Sequence, residues 1–408
     1  MREAFKPRSA WQVGIEVEKM GLDAATSRPI PYNAPGPSVE KVLTFLLGRR
    51  GGRPIFEGDH LIGAEGPWGS LSLEPGGQVE WSSRPAQGLD PLVAELDGHL
   101  AALRDVASAL NVRWLDAAVQ PAIPVAEMPW MPKARYGIMR DFLGARGRLA
   151  HRMMTQTASI QCAFDFEDDA DWVRKMRAGA LLAPVAVALF ANSSRADGSE
   201  TGYASFRQAI WRETDPARCD LPDVVFRPDF GIDAWVAWAC TVPTIFLRRD
   251  DGLVPSGGAP FGDLLERRGC DGVGLDDWEL HLSTLFTEVR SYTYIEVRSA
   301  DLQRDDLIAS VPAFWTGILY HGDALEAASR IAAPWDSAAG WRAAMEAATR
   351  RGLGSAVAGV SLREAASRAL GLAAWGLGNG AACAGAAGSD ALARLAESRG
   401  LALATSAP

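Results

Sequence analysis

The stretch SLSLEPGGQVEWSS, residues 70–83, has the pattern of a β-hairpin. Two runs of alternating apolar and polar residues flank Gly76 and Gly77, an arrangement typical of a tight turn between antiparallel strands. Two carboxylates, Glu74 and Glu80, lie close to the turn, where a strand that only builds a core would not carry them. The stretch therefore predicts an antiparallel sheet with acidic side chains near one of its turns.

The rest of the chain predicts an α+β fold with a mostly antiparallel sheet, because strands and paired helices alternate without a βαβ rhythm or a glycine-rich phosphate loop. Asp90 is the expected N-cap of a helix at 90–111, and Pro184 is expected to kink or break a helix at 169–194. We expect one catalytic domain over residues 5–400, followed by a frayed tail at 401–408. Strands are predicted at 11–23, 60–83, 112–121, 157–166 and 287–301, and further helices at 37–52, within 131–144 and beyond 304.

Composition narrows the class of protein. The chain has 408 residues, 48% of them hydrophobic, and a formal net charge of −9, which argues against a nucleic-acid partner. Its five cysteines are scattered without a CxxC pair, as in proteins of a reducing cytoplasm. No run of eighteen apolar residues and no apolar leader is present, so we expect a cytoplasmic protein without a membrane partner.

Acidic residues recur on other predicted strands. Glu16 and Glu18 are two apart, so their side chains share one face of a strand. The segment 287–301 contains the motif E-V-R twice, eight residues apart. Each pattern has a plain structural interpretation: a solvated acidic face on an edge strand, or a ladder of cross-strand ion pairs, which contributes little when exposed.

Three acidic strand segments together indicate a site that holds a cation. Converging carboxylates repel one another unless a divalent cation lies between them. A set of oxygen ligands without a Cys/His cluster points to Mg²⁺ or Mn²⁺, and Mg²⁺ with free positions commonly binds phosphate oxygens. We therefore weigh a metal–nucleotide site against the two structural interpretations. Basic residues that suit phosphate or carboxylate groups are Lys19, Lys133, Arg135, Arg207, Arg290 and Arg298.

Long motifs in the same order resemble the glutamate–cysteine ligases of the plant and proteobacterial type. This family belongs to the carboxylate–amine ligase superfamily related to glutamine synthetase. The resemblance implies an antiparallel sheet that forms an open cradle, with helices packed outside. It also implies that ATP and Mg²⁺ convert the γ-carboxylate of L-glutamate to an acyl phosphate, which the amine of L-cysteine attacks to give γ-glutamylcysteine. The motifs are VGIEVEKMG, SLEPGGQVEWS, MPKARYGIMRDFL, DWVRKMRAGALLAPVAVALFANSS, GYASFRQAIWRETDPAR and LHLSTLFTEVRSYTYIEVRSAD.

The resemblance implies roles for individual residues. Arg135 and Arg207 are expected to hold the carboxylate of glutamate, and Gln161 is expected to line the cradle, unless it is an ordinary core or edge amide. The expected catalytic residues are Arg135, Arg207 and Arg298. The expected metal ligands are Glu16, Glu18, Glu74, Glu80 and Glu296, and the expected phosphate contacts are Lys19, Lys133, Arg290 and Arg298.

Two positions depart from the family's motifs. A histidine of the usual GTEHEK is Val17 here, and alternation turns it away from the acids. An asparagine of the usual TCTVQVNLDF is Ala163, on the face of Gln161, so the acceptor amine is less certain than the acyl phosphate step. A γ-glutamyl ligase for another amine, or a non-catalytic protein that binds glutamate or nucleotide, are the alternatives. We expect a monomer or a homodimer.

Overall fold

An antiparallel sheet organises the chain, of which the computed structural model describes residues 1–250, 252–268 and 272–403. Nine strands of the described part belong to this sheet, and six more form three separate hairpins. The sheet strands are β1 (Val13–Asp23), β2 (Arg53–Glu57), β3 (His60–Gly66), β4 (Gly69–Leu73), β5 (Gln78–Ser82), β6 (Val112–Trp114), β7 (Ser159–Phe164), β12 (Val289–Ser291) and β13 (Ile295–Asp301). The hairpins are β8 (Arg195–Ala196) with β9 (Ser199–Glu200), β10 (Phe246–Arg249) with β11 (Gly252–Pro255), and β14 (Ala356–Val357) with β15 (Val360–Ser361).

The strand order brings the segments predicted to be acidic next to one another. It runs β12-β13-β7-β1-β5-β4-β3-β2, and β6 pairs with the end of β1. All these pairs are antiparallel, as predicted. The strand β1 is central, because β5 and β7 flank it on either side.

Helices cover one face of the sheet. On β1, Val13, Ile15 and Val17 are buried, while the intervening residues are only partly buried, because alternate side chains point to opposite faces. The buried face packs against α11 and α2, and α5 packs against β13. The helices are α1 (Val39–Arg50), α2 (Leu89–Leu110), α3 (Ala134–Gly144), α4 (Ala150–Gln156), α5 (Asp169–Phe190), α6 (Phe206–Arg212), α7 (Pro216–Cys219), α8 (Ile232–Thr241), α9 (Phe261–Arg268), α10 (Leu275–Leu282), α11 (Ser310–Leu319), α12 (Gly322–Ala332), α13 (Ala338–Arg351), α14 (Leu362–Gly378) and α15 (Ala386–Arg399).

Two local predictions were wrong, and a third was wrong in part. Asp90 is not the N-cap of α2, which begins at Leu89; its carboxylate instead accepts a hydrogen bond from the backbone N–H of Ala387 in α15, at 2.8 Å. Pro184 lies inside α5 and does not break it, in a part of the helix that is buried on all sides, and the alternative of a kink stays a prediction. The strand predicted at 112–121 ends at Trp114.

Two further expectations concern the whole chain. Cys270 and residues 404–408 of the tail lie outside the described residues, and the other four cysteines form no disulfide. None of the helices described here is both long enough and apolar enough to cross a membrane. The single domain at 5–400 remains a prediction.

Candidate functional site

The turn of the β4–β5 hairpin fixes where two of the glutamates lie. Gly77 has a φ of 86°, which glycine adopts at no steric cost. A Cβ on Gly76 would come within 2.1 Å of the carbonyl oxygen of Thr155, so the turn packs directly on the end of α4. The backbone N–H of Glu74 bonds to the carbonyl of Gln78, at 2.9 Å. This tight turn brings Glu74 and Glu80 to the same cavity.

Four carboxylates line this first cavity, which has a volume of about 300 Å³. In the β1–β5 pairing, Glu18 lies directly opposite Glu80, and Glu16 lies opposite Ser82. Like charges placed opposite one another destabilise a sheet. The edge-strand interpretation therefore fails, because β1 is central and its acids line a cavity. The four are Glu16, Glu18, Glu74 and Glu80.

Their titration reflects this crowding. Burial, the largest cause, and then a second carboxylate raise the pKa of Glu18, Glu74 and Glu80 to about 7. The second cause is Glu74 for Glu18, Glu80 for Glu74, and Glu18 for Glu80. Burial and then Glu80 and Glu296 raise the pKa of Glu16 as well. A cation among these groups would lower all four pKa values.

The donor set fits a hard divalent cation in charge and in ligand type. Each group offers carboxylate oxygens, the ligands that Mg²⁺ and Mn²⁺ prefer. One carboxylate is already oriented: Glu18 accepts hydrogen bonds from the backbone N–H and hydroxyl of Ser159, at 2.8 and 3.1 Å. No three acidic, His or Cys side chains of the described residues converge closely enough to enclose a metal as they stand. Binding would therefore draw these glutamates together.

Glu296 lies apart from this group, because two arginines bind it. Arg290 donates to one of its oxygens at 2.8 Å, and Arg298 donates to the other. Burial raises the pKa of Glu296, but the two guanidinium groups outweigh burial and hold that pKa below its usual range. Both oxygens are thus engaged by arginine, which contradicts the expectation of a free metal ligand. This buried triad is also not the exposed ion-pair ladder considered above.

Gln161 connects the carboxylates to the arginines. Its amide nitrogen donates to Glu18 at 3.0 Å, and its amide oxygen accepts from Arg298. One amide N–H remains free of these bonds, so its predicted role in substrate binding stays a prediction.

The first cavity also holds buried donors that have no acceptor among the described residues. They are Nε of Arg135, Nη1 of Arg207 and Nε1 of Trp211. An unpaired buried donor costs about 1–3 kcal/mol, and an anionic ligand that reached these groups would remove that cost. The buried Asp301 lies 3.7 Å from Nη1 of Arg207 and accepts bonds from Ser193 and Ser205, which holds this arginine in place.

Two predicted phosphate contacts do not line the cavity. Lys19 is on the opposite face of β1, is 1% exposed, and pairs with Asp116 and Asp305 at 2.6 Å each, so this prediction was wrong. The amine of Lys133 donates to the carbonyl of Leu73, at 3.2 Å. It influences the pKa of Glu74 without lining the first cavity.

A second cavity of about 930 Å³ adjoins the first, and Glu16, Tyr292 and Tyr294 line both. Small residues line it on the sheet side: Gly14 and Ala163 are cross-strand partners. The two cavities follow β1 in sequence, from Glu18 in the first to Gly14 in the second.

Comparison with known proteins identifies the family. The family model for glutamate-cysteine ligase family 2 matches residues 12–402. The chain belongs to glutamate-cysteine ligase family 2. Among family members, the chloroplastic glutamate–cysteine ligase of Nicotiana tabacum is 36% identical over 334 residues, 81% of this chain and 63% of that protein. The enzyme of Brassica juncea is 37% identical over 337 residues, 82% of this chain and 65% of that protein.

The chain spans a little under two thirds of the length of these two relatives. A crystal structure of glutamate–cysteine ligase from Francisella tularensis in complex with AMP has a similar fold, with a TM-score of 0.58. The two sequences are 13% identical, and the structural match covers 98% of this chain and 84% of the Francisella tularensis chain. This likeness supports the α+β fold with a mostly antiparallel sheet.

The two departures from the family's motifs have different surroundings. Val17 is fully buried in the core and faces away from the glutamates, as predicted. Ala163 is on the face of Gln161, as predicted, but it lines the second cavity whereas Gln161 lines the first.

Sequence reasoning missed several cavity residues in this member of the family. Trp211 follows Arg207 by four residues on α6, a spacing that places both on one helix face. Ser159 precedes Gln161 by two residues on β7 and therefore shares its face. Periodicity could have found these two. The aromatic walls come from three separate segments, and only the fold brings them together: Tyr136 of α3, Phe286, and the turn that holds Tyr292 and Tyr294.

Proposed function

We propose that this chain joins the γ-carboxylate of L-glutamate to the amine of L-cysteine, with ATP as the energy source, through γ-glutamyl phosphate. The product would be γ-glutamylcysteine, the first intermediate of glutathione biosynthesis. The observation that carries the proposal is the first cavity itself, which Arg135, Arg207 and Trp211 line together with four carboxylates. The basic side chains would bind the carboxylates of L-glutamate. The four glutamates of the cavity would hold the cation that accompanies a polyphosphate.

The arginines would bind the anionic ends of the substrates. Arg135 and Arg207, with Trp211, offer buried N–H donors for a carboxylate, and charge-assisted bonds of this kind are strong when water is excluded. Arg290 and Arg298 would face phosphate oxygens, because Glu296 already fixes both guanidinium planes and leaves other N–H groups free. These residues would orient the γ-carboxylate for attack on the γ-phosphorus of ATP.

Glu18, Glu74 and Glu80, with Glu16 nearby, would hold Mg²⁺, and Mn²⁺ would fit the same ligands. When bound, the ion would neutralise phosphate charge as the phosphoryl group moves. The glutamates themselves would have to be ionised, and Ser159 and Gln161 favour the ionised form of Glu18 by donating to its oxygens.

The second cavity would receive the nucleoside part of ATP. It is the larger of the two, and Tyr292, Tyr294 and Trp278 provide aromatic surfaces along it. It meets the first cavity at Glu16, so a bound triphosphate would extend towards the carboxylates. The acceptor amine would enter the first cavity beside the acyl phosphate and release phosphate on attack. The expected cytoplasmic location and the monomeric or dimeric state remain predictions.

A single assay tests this function. Purified protein receives ATP, Mg²⁺ and glutamate, then cysteine or another amine, and both ADP and product mass are measured. The proposal expects ADP only when cysteine is present, together with γ-glutamylcysteine. ADP with a different amine alone would refute cysteine as the acceptor, and no ADP with any amine would refute the ligase. Arg207→Lys should lose activity, while Arg212→Lys, on the same helix but paired with Glu346 outside the cavity, should keep it.

A further inference from the structure

Residues 243–250, 252–268 and 272–284 form a segment, here called the cap, that lies beside both cavities. The cap carries β10, β11, α9 and α10. Trp278 and Leu282 of α10 line the second cavity. Phe246 of β10 lies with its ring centre 5.6 Å from the guanidinium carbon of Arg135, which lines the first. The position of the cap therefore shapes both cavities.

Much of the apolar packing of the cap lies in small clusters apart from the main core. Leu247, Phe261, Leu264 and Val273 form an apolar cluster separate from the main core under the sheet. Leu282 belongs to another small cluster, again separate from that core. Because these clusters are small, polar contacts at the two ends of the cap carry more of the work of fixing its position.

One buried side chain contacts both ends of the cap. Arg218, on α7, is fully buried. Its Nη2 donates to the carbonyl of Pro243 at 2.5 Å, and its Nη1 donates to the carbonyl and hydroxyl of Thr284, at 3.2 and 3.1 Å. Its Nε donates to Asp215 at 2.8 Å. All three guanidinium nitrogens are therefore engaged: two bind the two ends of the cap, at Pro243 and Thr284, and the third binds Asp215.

These bonds continue into the first cavity. The backbone N–H of Phe286 donates to the carbonyl of Arg218, at 2.8 Å. The carbonyls of Ser283 and Leu285 accept bonds from Nη1 of Arg290, at 3.2 and 3.0 Å. Phe286, Ser283 and Arg290 all line the first cavity. The segment 283–286 is therefore held by Arg218 on its outer side and holds Arg290 on its inner side.

We propose that Arg218 is a positioning residue, which fixes both ends of the cap so that Phe286 and Arg290 stay in place in the first cavity. Arginine can bind both ends of the cap and Asp215 at once, because its planar guanidinium carries donors in several directions. Lysine has a single ammonium group and cannot replace all of these bonds. A buried ion pair contributes little net free energy to folding. We therefore assign the Asp215–Arg218 pair a role in positioning the cap rather than in stability. The kinetic consequence of this inference rests on the proposed function, whereas the structural consequence does not.

The test compares Arg218→Lys with Arg342→Lys in the full-length protein. Arg342 is a suitable control, because it also binds two acids, Asp220 and Asp223, but contacts neither junction. Hydrogen exchange followed by mass spectrometry should show amides in 275–286 of Arg218→Lys exchanging about tenfold faster, while β1 and β7 exchange as in the wild type. In the ligase assay, kcat/KM should fall about 10²-fold, as expected when a reacting group is displaced by about 1 Å. The control should change neither.

Unchanged exchange in the cap, or equal acceleration of the cap and β1, would overturn the inference. The exchange experiment needs no turnover, so a protein without ligase activity would refute the proposed function and leave this test intact. If Arg218→Lys fails to fold, Asp215→Asn replaces it. This variant keeps an acceptor for the N–H of Ala217 and should show the same local pattern to a smaller extent.

Discussion

Replacing Glu74 by glutamine should stabilise the metal-free protein at pH 8 and weaken its response to Mg²⁺. In the wild type, burial and then Glu80 raise the pKa of Glu74 from 4.5 to about 7. A rise of this size corresponds to at most about 3 kcal/mol of unfavourable interaction when the group is ionised. Glutamine has nearly the same shape without the charge, so it removes this cost.

The sign follows from proton linkage. A carboxyl whose pKa is higher in the folded than in the unfolded state stabilises the fold below pH 4.5, and this contribution is lost as the pH rises through 7. Glu74→Gln should therefore equal the wild type at pH 4 and exceed it by up to about 3 kcal/mol at pH 8. Urea unfolding in EDTA, followed by circular dichroism at both pH values, measures the difference.

Added Mg²⁺ should reverse the order at pH 8. Wild-type protein should gain about 2.7 kcal/mol at a Mg²⁺ concentration one hundred times its Kd, whereas the variant loses a ligand and should gain much less. Ligase turnover should be lost in the variant. Glu326→Gln, at an exposed position of α12, serves as the control and should match the wild type in every measurement. A Glu74→Gln protein that is less stable than wild type without metal, or that keeps normal turnover, would refute the reasoning.

Three further substitutions separate the parts of the site. Arg207→Lys should lower kcat/KM for glutamate about 10²-fold, because lysine cannot reproduce the fork, and an unchanged value in steady-state kinetics would contradict its role. Ala163→Leu should raise the KM for ATP while leaving the KM for glutamate within about twofold, since only the second cavity loses volume; equal effects on both would argue against a nucleotide there. Lys19→Met should cost about 1.5–3 kcal/mol in urea unfolding without changing the KM for ATP, because Lys19 binds Asp116 and Asp305 away from the cavities. A higher KM in that variant would restore Lys19 as a phosphate contact.

Alternation along strands predicted most of the acidic side of the site. Glu16 and Glu18 share a face by periodicity, and a two-glycine turn brings Glu74 and Glu80 to the same cavity. The same alternation, applied one residue further, would have excluded Lys19 from the phosphate contacts. Lys19 lies on the strand face of Ile15 and Val17, opposite the face of the glutamates. Sequence proximity to an acidic motif misled the prediction there.

Tertiary pairing could not be predicted from periodicity. Glu296 lies in a motif like that of the other glutamates, yet Arg290 of the neighbouring strand binds it at 2.8 Å. The register between β12 and β13 decides this contact, since it places Arg290 opposite Glu296. The role of Arg218 depends likewise on residues 25 and 66 positions away along the chain, which no local pattern connects.

Gln161 shows why a neutral amide lies at the centre of so charged a cavity. Carboxylates of β1 and β5 lie on one side, and the guanidinium of Arg298 lies on the other. Glutamate at this position would repel Glu18, and lysine would repel Arg298, at separations where buried charges interact strongly. An amide can donate to Glu18 and accept from Arg298 at the same time. It thereby lies between Glu18 and Arg298, which pairs with Glu296 instead, and Glu18 stays available to a cation.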